Sequence, residues 1–291
     1  MIGRMDIRPI GASFAQEVLG LDLWTPPDAA TVAALRAAWA EAGVLVFRRQ
    51  ALSERELLAF SAAFGTPERI VRSDWASPSC PEVTNISNLK DAEGRAIGGL
   101  GAGELAWHTD QSYMAEPATG ALLYAVELPA QGGATCWANL RLAWAALPDS
   151  LKRRIDGRRA VFSYAKRQSG YQQQDRSAAV RPQTPDVTHA LANAHPATGE
   201  RALYLDPGTM TGIAGLEPAE GEALLAELSA FATQERFVYR HEWRPGDVAM
   251  WDNGFTLHRR EWFDPAARRL LKRTTLALPR DRHIVPRGER V

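Results

Sequence analysis

Gly246-Asp-Val-Ala-Met-Trp-Asp-Asn-Gly-Phe-Thr-Leu-His258 reads as two apolar strands joined by a tight turn, and this reading decides the fold. Gly246 opens the first strand. Asp252-Asn253-Gly254 supplies the residue types that tolerate the backbone of a hairpin turn, and Phe255 to His258 forms the return. Segments of the same kind recur at 119–128, 133–137, 160–164, 201–205, 236–241 and 270–277. Helical spacing interrupts them at 139–155 and 216–233. Many strands with few, segregated helices predict a mainly β, antiparallel core with peripheral helices. A double-stranded β-helix, the double-sheet jelly roll, is the natural closed form of such a core.

Toward the N-terminus the pattern is helix, strand, helix. Val32, Leu35 and Trp39 recur at helical spacing over 28–42, with Gly43 placed as a C-cap. Val44 to Phe47 is a short apolar strand. Ser53-Glu-Arg-Glu56 matches a capping box, opening a helix whose Leu57, Phe60 and Phe64 share a face before Gly65. Residues 66–106 are then rich in Gly, Pro, Ser and Asn, interrupted by a strand-like Val83-Thr-Asn-Ile86. Such a stretch predicts an active-site loop or lid, and 163–180 is a second candidate. With no repeat, low-complexity tract or linker, residues 1–291 are expected to form a single domain.

The 34 basic residues balance the 34 acidic ones and are spread along the chain, so no basic stripe marks a nucleic-acid partner. No apolar run approaches the length of a membrane span, and the first residues lack the apolar core of a signal peptide. Cys80 and Cys136 are too few and too scattered for a disulfide framework. A cytoplasmic protein acting on a small molecule is the expectation, with a homo-oligomer left open.

Trp107-His-Thr-Asp-Gln-Ser-Tyr113 places His108 and Asp110 two residues apart, on one face if the segment is extended. With six His and 34 acidic residues, roughly one such pair arises by chance, so the pair alone says little. His258, at the end of the returning strand, is the candidate third ligand. Two histidines and one carboxylate make the facial set of non-haem iron(II) oxygenases, which leaves positions open for a chelating co-substrate and oxygen. Zinc tolerates the same donors, so a zinc-dependent hydrolase stays open, as does a non-catalytic jelly-roll binding module. His189, His195, His241 and His283 lack a comparable partner pattern and read as structural.

Arg269 and Arg273 share a face if 268–277 is a strand, roughly 13 Å apart at about 3.3 Å per residue. That separation suits two carboxylates better than one, and arginine is the residue for planar carboxylate recognition. Tyr113, beside the metal motif, is a candidate for shaping the substrate pocket. Lys166, Arg167 and Tyr171 are further candidates, and Trp262 either lines the pocket or packs.

With these residues in place, the chain resembles the taurine/2,4-dichlorophenoxyacetate dioxygenase family of iron(II)- and 2-oxoglutarate-dependent oxygenases. The resemblance runs over nearly the whole chain. It rests on the order and spacing of Val44-Leu-Val-Phe47, Phe60 to Gly65, Trp107-His-Thr-Asp110, Gly132-Gly-Ala-Thr-Cys-Trp137, Trp251-Asp-Asn253, His258, Arg269 and Arg273. It implies a jelly roll in which His108, Asp110 and His258 hold Fe(II), with 2-oxoglutarate and O2 as co-substrates. Thr135 and Arg269 would bind the distal carboxylate of 2-oxoglutarate, and Arg273 would grip the anionic group of the primary substrate. Two departures stand out: Ala134 precedes the threonine where the family often has Asp, and Gly101-Ala-Gly-Glu-Leu-Ala106 lacks the polar groups used on taurine. The expected substrate is therefore a small carboxylate, aryloxyalkanoate-like or an N-substituted amino acid, with a sulfonate or sulfate ester as the alternative.

Overall fold

The computed structural model describes residues 5–70, 73–101, 105–169 and 184–291, the side chains of 167–169 excepted. Its largest sheet runs, edge to edge, through Asp6–Pro9, Gln16–Leu19, Val44–Phe47, Val248–Asp252, Gly120–Glu127, Leu270–Ala277, Cys80–Ser87 and Ala76–Ser77. A four-stranded sheet of Val238–His241, Thr135–Asn139, Thr256–Arg260 and Leu105–His108 faces it. The pleat sends alternate residues to opposite sides. Val44, Val46, Ala249, Trp251, Leu123 and Leu271 point between the two sheets, where they meet Trp137 and Tyr239 of the smaller one. Leu45, Phe47, Val248, Met250 and Leu122 point outward, where they are covered by Leu35 and Trp39 of helix Ala29–Ala42 and by Leu57 and Phe60 of helix Glu54–Ala62. The result is the expected jelly roll with helices outside.

Local chemistry sets the helix ends. The Asp28 side chain accepts from Thr31 N, and Gly43, at φ 75°, closes the first helix by donating to the Trp39 carbonyl. Ser53 and Glu56 form the expected reciprocal capping box. A second core packs helices Leu140–Ala146, Asp149–Ile155 and Pro218–Ala232 against a sheet of Met210–Ile213, Arg159–Phe162, Val187–Ala190 and Glu289–Arg290.

Three expectations need correction. The helix expected over 139–155 is two, because Pro148 drives the preceding Leu147 to an extended ψ of 132°. The strand expected over 160–164 ends at Phe162 and gives way to helix Tyr164–Ser169. Within 66–106, the strand read at Val83 to Ile86 is longer than expected, running over Cys80–Ser87 beside Leu270–Ala277. Its polar residues are buried yet satisfied: Asn85 donates to the Ile97 carbonyl at 3.0 Å and Ser87 to the Arg269 carbonyl at 2.9 Å.

Candidate active site

The strand Leu105–His108 pairs with Thr256–Arg260 so that His108 and His258 are direct cross-strand partners, with ring centroids 4.1 Å apart. Asp110 follows as the chain turns away, and Gln111 at φ 52° makes that turn. One ligand atom from each of His108, Asp110 and His258 lies within 4.8 Å of the others, and all three residues are buried. The His108 Nδ1 sits 2.8 Å from the Ala106 carbonyl, which can only accept. Nδ1 therefore carries the hydrogen and Nε2 keeps its lone pair, the tautomer that binds a metal. The donor set fits a divalent transition ion.

Asp110 is held from both sides. Its Oδ1 accepts from Arg273 Nη1 at 2.7 Å. Its Oδ2 lies 3.9 Å from His258 Nε2 and 3.4 Å from the Asn253 amide nitrogen. Asn253 is aimed by Trp251, whose Nε1 donates to Asn253 Oδ1 at 2.8 Å. The turn that closes the hairpin thus also supports the carboxylate.

Beside the triad opens a cavity that includes His108, His258, Thr135, Arg260, Arg269 and Arg273 in its wall. Ile86, Leu100, Leu105, Leu123 and Trp251 supply an apolar lining. Arg269 is almost fully buried, and its polar contacts are sparse. Nη2 reaches the Gly133 carbonyl at 3.4 Å, and Nε has no hydrogen-bond partner among the described residues. Burial, and secondarily the charge of Arg260, pushes its pKa down to about 9. Among the described residues no carboxylate pairs with this cation. Thr135, in the same wall, accepts from Trp243 Nε1 at 2.9 Å, which leaves its hydroxyl hydrogen to donate into the cavity. Gly132 and Gly133, at φ 79° and 69°, bring the chain against Arg269. A Cβ on Gly132 would lie 2.6 Å from the Trp262 carbonyl oxygen.

The structure thus gathers six of the seven singled-out residues. Tyr113 lines a separate depression with Glu116 and Arg290, its ring tilted against that of Tyr164 with centroids 4.6 Å apart. Lys166 donates to the Met210 carbonyl. The side chain of Arg167 and all of Tyr171 lie outside the described residues, as does most of the second lid candidate. Trp262 is 59% exposed and does not line the cavity. Arg260 and Trp243 escaped the sequence reading. Arg260 had a signal, its position two residues after His258 on the same strand; Trp243 had none.

Fold and site together define a jelly roll with a candidate two-histidine, one-carboxylate metal centre beside an arginine-lined cavity. The chain belongs to the taurine catabolism dioxygenase TauD, TfdA family, whose model matches residues 6–275. It is 35% identical over 276 residues to the alpha-ketoglutarate-dependent 2,4-dichlorophenoxyacetate dioxygenase of Cupriavidus pinatubonensis, covering 92% of this chain and 96% of that one. It is 34% identical over 287 residues to the (S)-phenoxypropionate/alpha-ketoglutarate-dioxygenase of Delftia acidovorans, covering 94% and 95%. Among solved structures, AAD-2 in complex with Mn(II) and N-oxalylglycine superposes with a TM-score of 0.81 at 30% identity, over 95% of this chain and 98% of that one. The chain is accordingly an oxidoreductase of the 2-oxoglutarate-dependent (alpha-ketoglutarate-dependent) dioxygenase type. No helix among its described residues is long and apolar enough to cross a membrane.

Proposed function

We propose that the protein is an iron(II) dioxygenase that hydroxylates, or by hydroxylation cleaves, a small carboxylic acid with an apolar body. The observation that carries this is the pair Arg269 and Arg273 in the wall of one apolar cavity beside the triad. Two guanidiniums provide for two acids, one from 2-oxoglutarate and one from the substrate. His108, Asp110 and His258 would hold the metal. Arg269 and Thr135 would take the distal carboxylate of 2-oxoglutarate, and Arg273 the acid of the substrate. Iron(II), when bound, supplies the activation of oxygen that couples conversion of 2-oxoglutarate to succinate and carbon dioxide with oxidation of the substrate.

The chain's own contribution is placement. Arg273 fixes one end of the substrate, and Ile86, Leu100, Leu105 and Leu123 surround the rest and exclude water. A carbon next to a heteroatom, hydroxylated there, gives a product that splits. An aryloxyalkanoate or an N-substituted amino acid meets these demands. The apolar wall disfavours taurine, whose body is short and carries a charged amine. A sulfate ester with an apolar chain is the second reading, since a relative 31% identical over 281 residues is the alpha-ketoglutarate-dependent sulfate ester dioxygenase of Pseudomonas putida. Membership of a family of oxidoreductases favours both over a zinc hydrolase or a binding module.

The test is a panel of phenoxyacetate, 2-phenoxypropionate, N-acyl amino acids, alkyl sulfates and taurine, read as oxygen uptake with succinate release. An aryloxy or N-acyl acid is expected to couple the two one to one. Asp110→Ala is expected to lower turnover by about a thousandfold or more, since an interaction that assembles the reacting groups is lost. Coupled turnover that survived removal of iron would sink the proposal.

A further inference from the structure

Arg273 rises from the middle of Leu270–Ala277, with Thr84 and Leu123 as its neighbours on the two flanking strands. It is 8% exposed, and the Asp110 to which Nη1 donates is 4% exposed. A guanidinium offers donors along two edges. Asp110 takes Nη1, while Nε, on the far edge, is buried with no hydrogen-bond partner among the described residues. The edge formed by Nε and Nη2 is the one suited to two-point contact with another carboxylate. The arginine can therefore hold Asp110 and receive a second acid without exchanging one for the other.

Asp110 is made asymmetric by this contact. Oδ1 is turned to Arg273, and Oδ2 faces His258 and Asn253 at 3.9 Å and 3.4 Å. The Asn253 contact is too long to orient a carboxylate alone. The charge-assisted bond at 2.7 Å is the strongest of these three contacts, and it turns Oδ1 toward the arginine while Oδ2 faces the imidazole of His258.

Resting on the reading of Asp110 as a metal ligand, we propose that Arg273 is a positioning residue for the metal, independently of any substrate. It holds Asp110 so that a single oxygen meets the ion. Binding of an acid at the free edge is then linked to metal occupancy, and the linkage is reciprocal.

The experiment is a Co(II) titration of the full chain, without 2-oxoglutarate or substrate, followed by the visible absorption of the bound ion. Partners that orient a metal ligand are worth about 10- to 100-fold in metal affinity. Arg273→Met is expected to weaken Co(II) binding by about tenfold or more. Arg273→Lys keeps a cationic donor for Asp110 and is expected to restore most of that loss. Circular dichroism checks folding, and Arg273→Leu replaces the Met variant, on the same criteria, if that one misfolds. An unchanged affinity in the Met variant would overturn the proposal. So would tighter binding, the outcome if repulsion between guanidinium and cation were the main effect. A wild-type chain that takes up no Co(II) would instead defeat the reading of the metal site itself, so the two failures are distinguishable.

Discussion

Arg269 is 1% exposed, and among the described residues its side chain donates a long bond to a carbonyl and leaves Nε without a partner. Burying a charge costs several kcal/mol even after relaxation, and little in the protein offsets it here. Function and stability should then pull apart at this position. Arg269→Met is expected to weaken 2-oxoglutarate binding to the Mn(II)-loaded protein by about 100-fold, as a charge-assisted contact of roughly 2–3 kcal/mol disappears. Its melting temperature should match or exceed that of the wild type, since an apolar side chain suits the site better than an uncompensated cation. Calorimetric titration and a thermal melt measure the two effects; a large drop in melting temperature would show that the cation stabilises the fold. At this scale much of the site was legible in the sequence. His108 and Asp110 follow the pleat, and Arg269 and Arg273 share a face. What the sequence withheld were residues whose roles exist only through distant partners. Trp243 matters because it bonds Thr135, and Tyr113 packs its ring at a tilt against Tyr164, far along the chain.

Elements show the same division between local rules and distant packing. Gly43 was readable as a cap because a helix end needs a left-handed residue. Its second constraint was not readable: a Cβ there would lie 2.5 Å from Cε2 of Phe255, just past the hairpin turn. Gly43→Ala therefore meets two penalties, an unfavourable backbone region and displacement of a buried ring. Together they are expected to cost about 2–3 kcal/mol, measured as a lowered urea midpoint at unchanged slope. A loss below about 1 kcal/mol would mean the ring yields freely. The break between helices Leu140–Ala146 and Asp149–Ile155 was legible in principle, since Pro148 stands in the sequence. Cys80–Ser87 was legible only at its centre, Val83 to Ile86, because the polar side chains of Asn85 and Ser87 find partners far along the chain.

On the scale of the whole molecule, the strand pattern and its hairpin indicated the jelly roll correctly, because a two-residue period survives any arrangement of the sheets. Stability against acid depends on less visible groups. His189 is fully buried, packed on Phe162 and Tyr204, with Nε2 3.0 Å from the Met114 carbonyl. Desolvation pushes its pKa down from 6.5 to about 4. Below pH ~6.5 the unfolded chain takes up a proton that the folded chain refuses until about 4. Stability is therefore intact at pH 7 and falls through that window, by about 3 kcal/mol at its lower end. Urea midpoints of the wild type and His189→Leu at pH 7 and pH 5 isolate the contribution; equal pH dependence in the two would refute it. The strand that carries His108 is the last of its sheet, only four residues long, and joined irregularly to a single neighbour. An ion gripped by His108 and Asp110 on that strand's side and by His258 on the other would act as a clasp on an open edge. A chelator would then do more than silence the enzyme. It would free the margin of a sheet, speed amide exchange at Leu105 to Thr109, and make metal supply a determinant of how long the folded chain survives proteolysis.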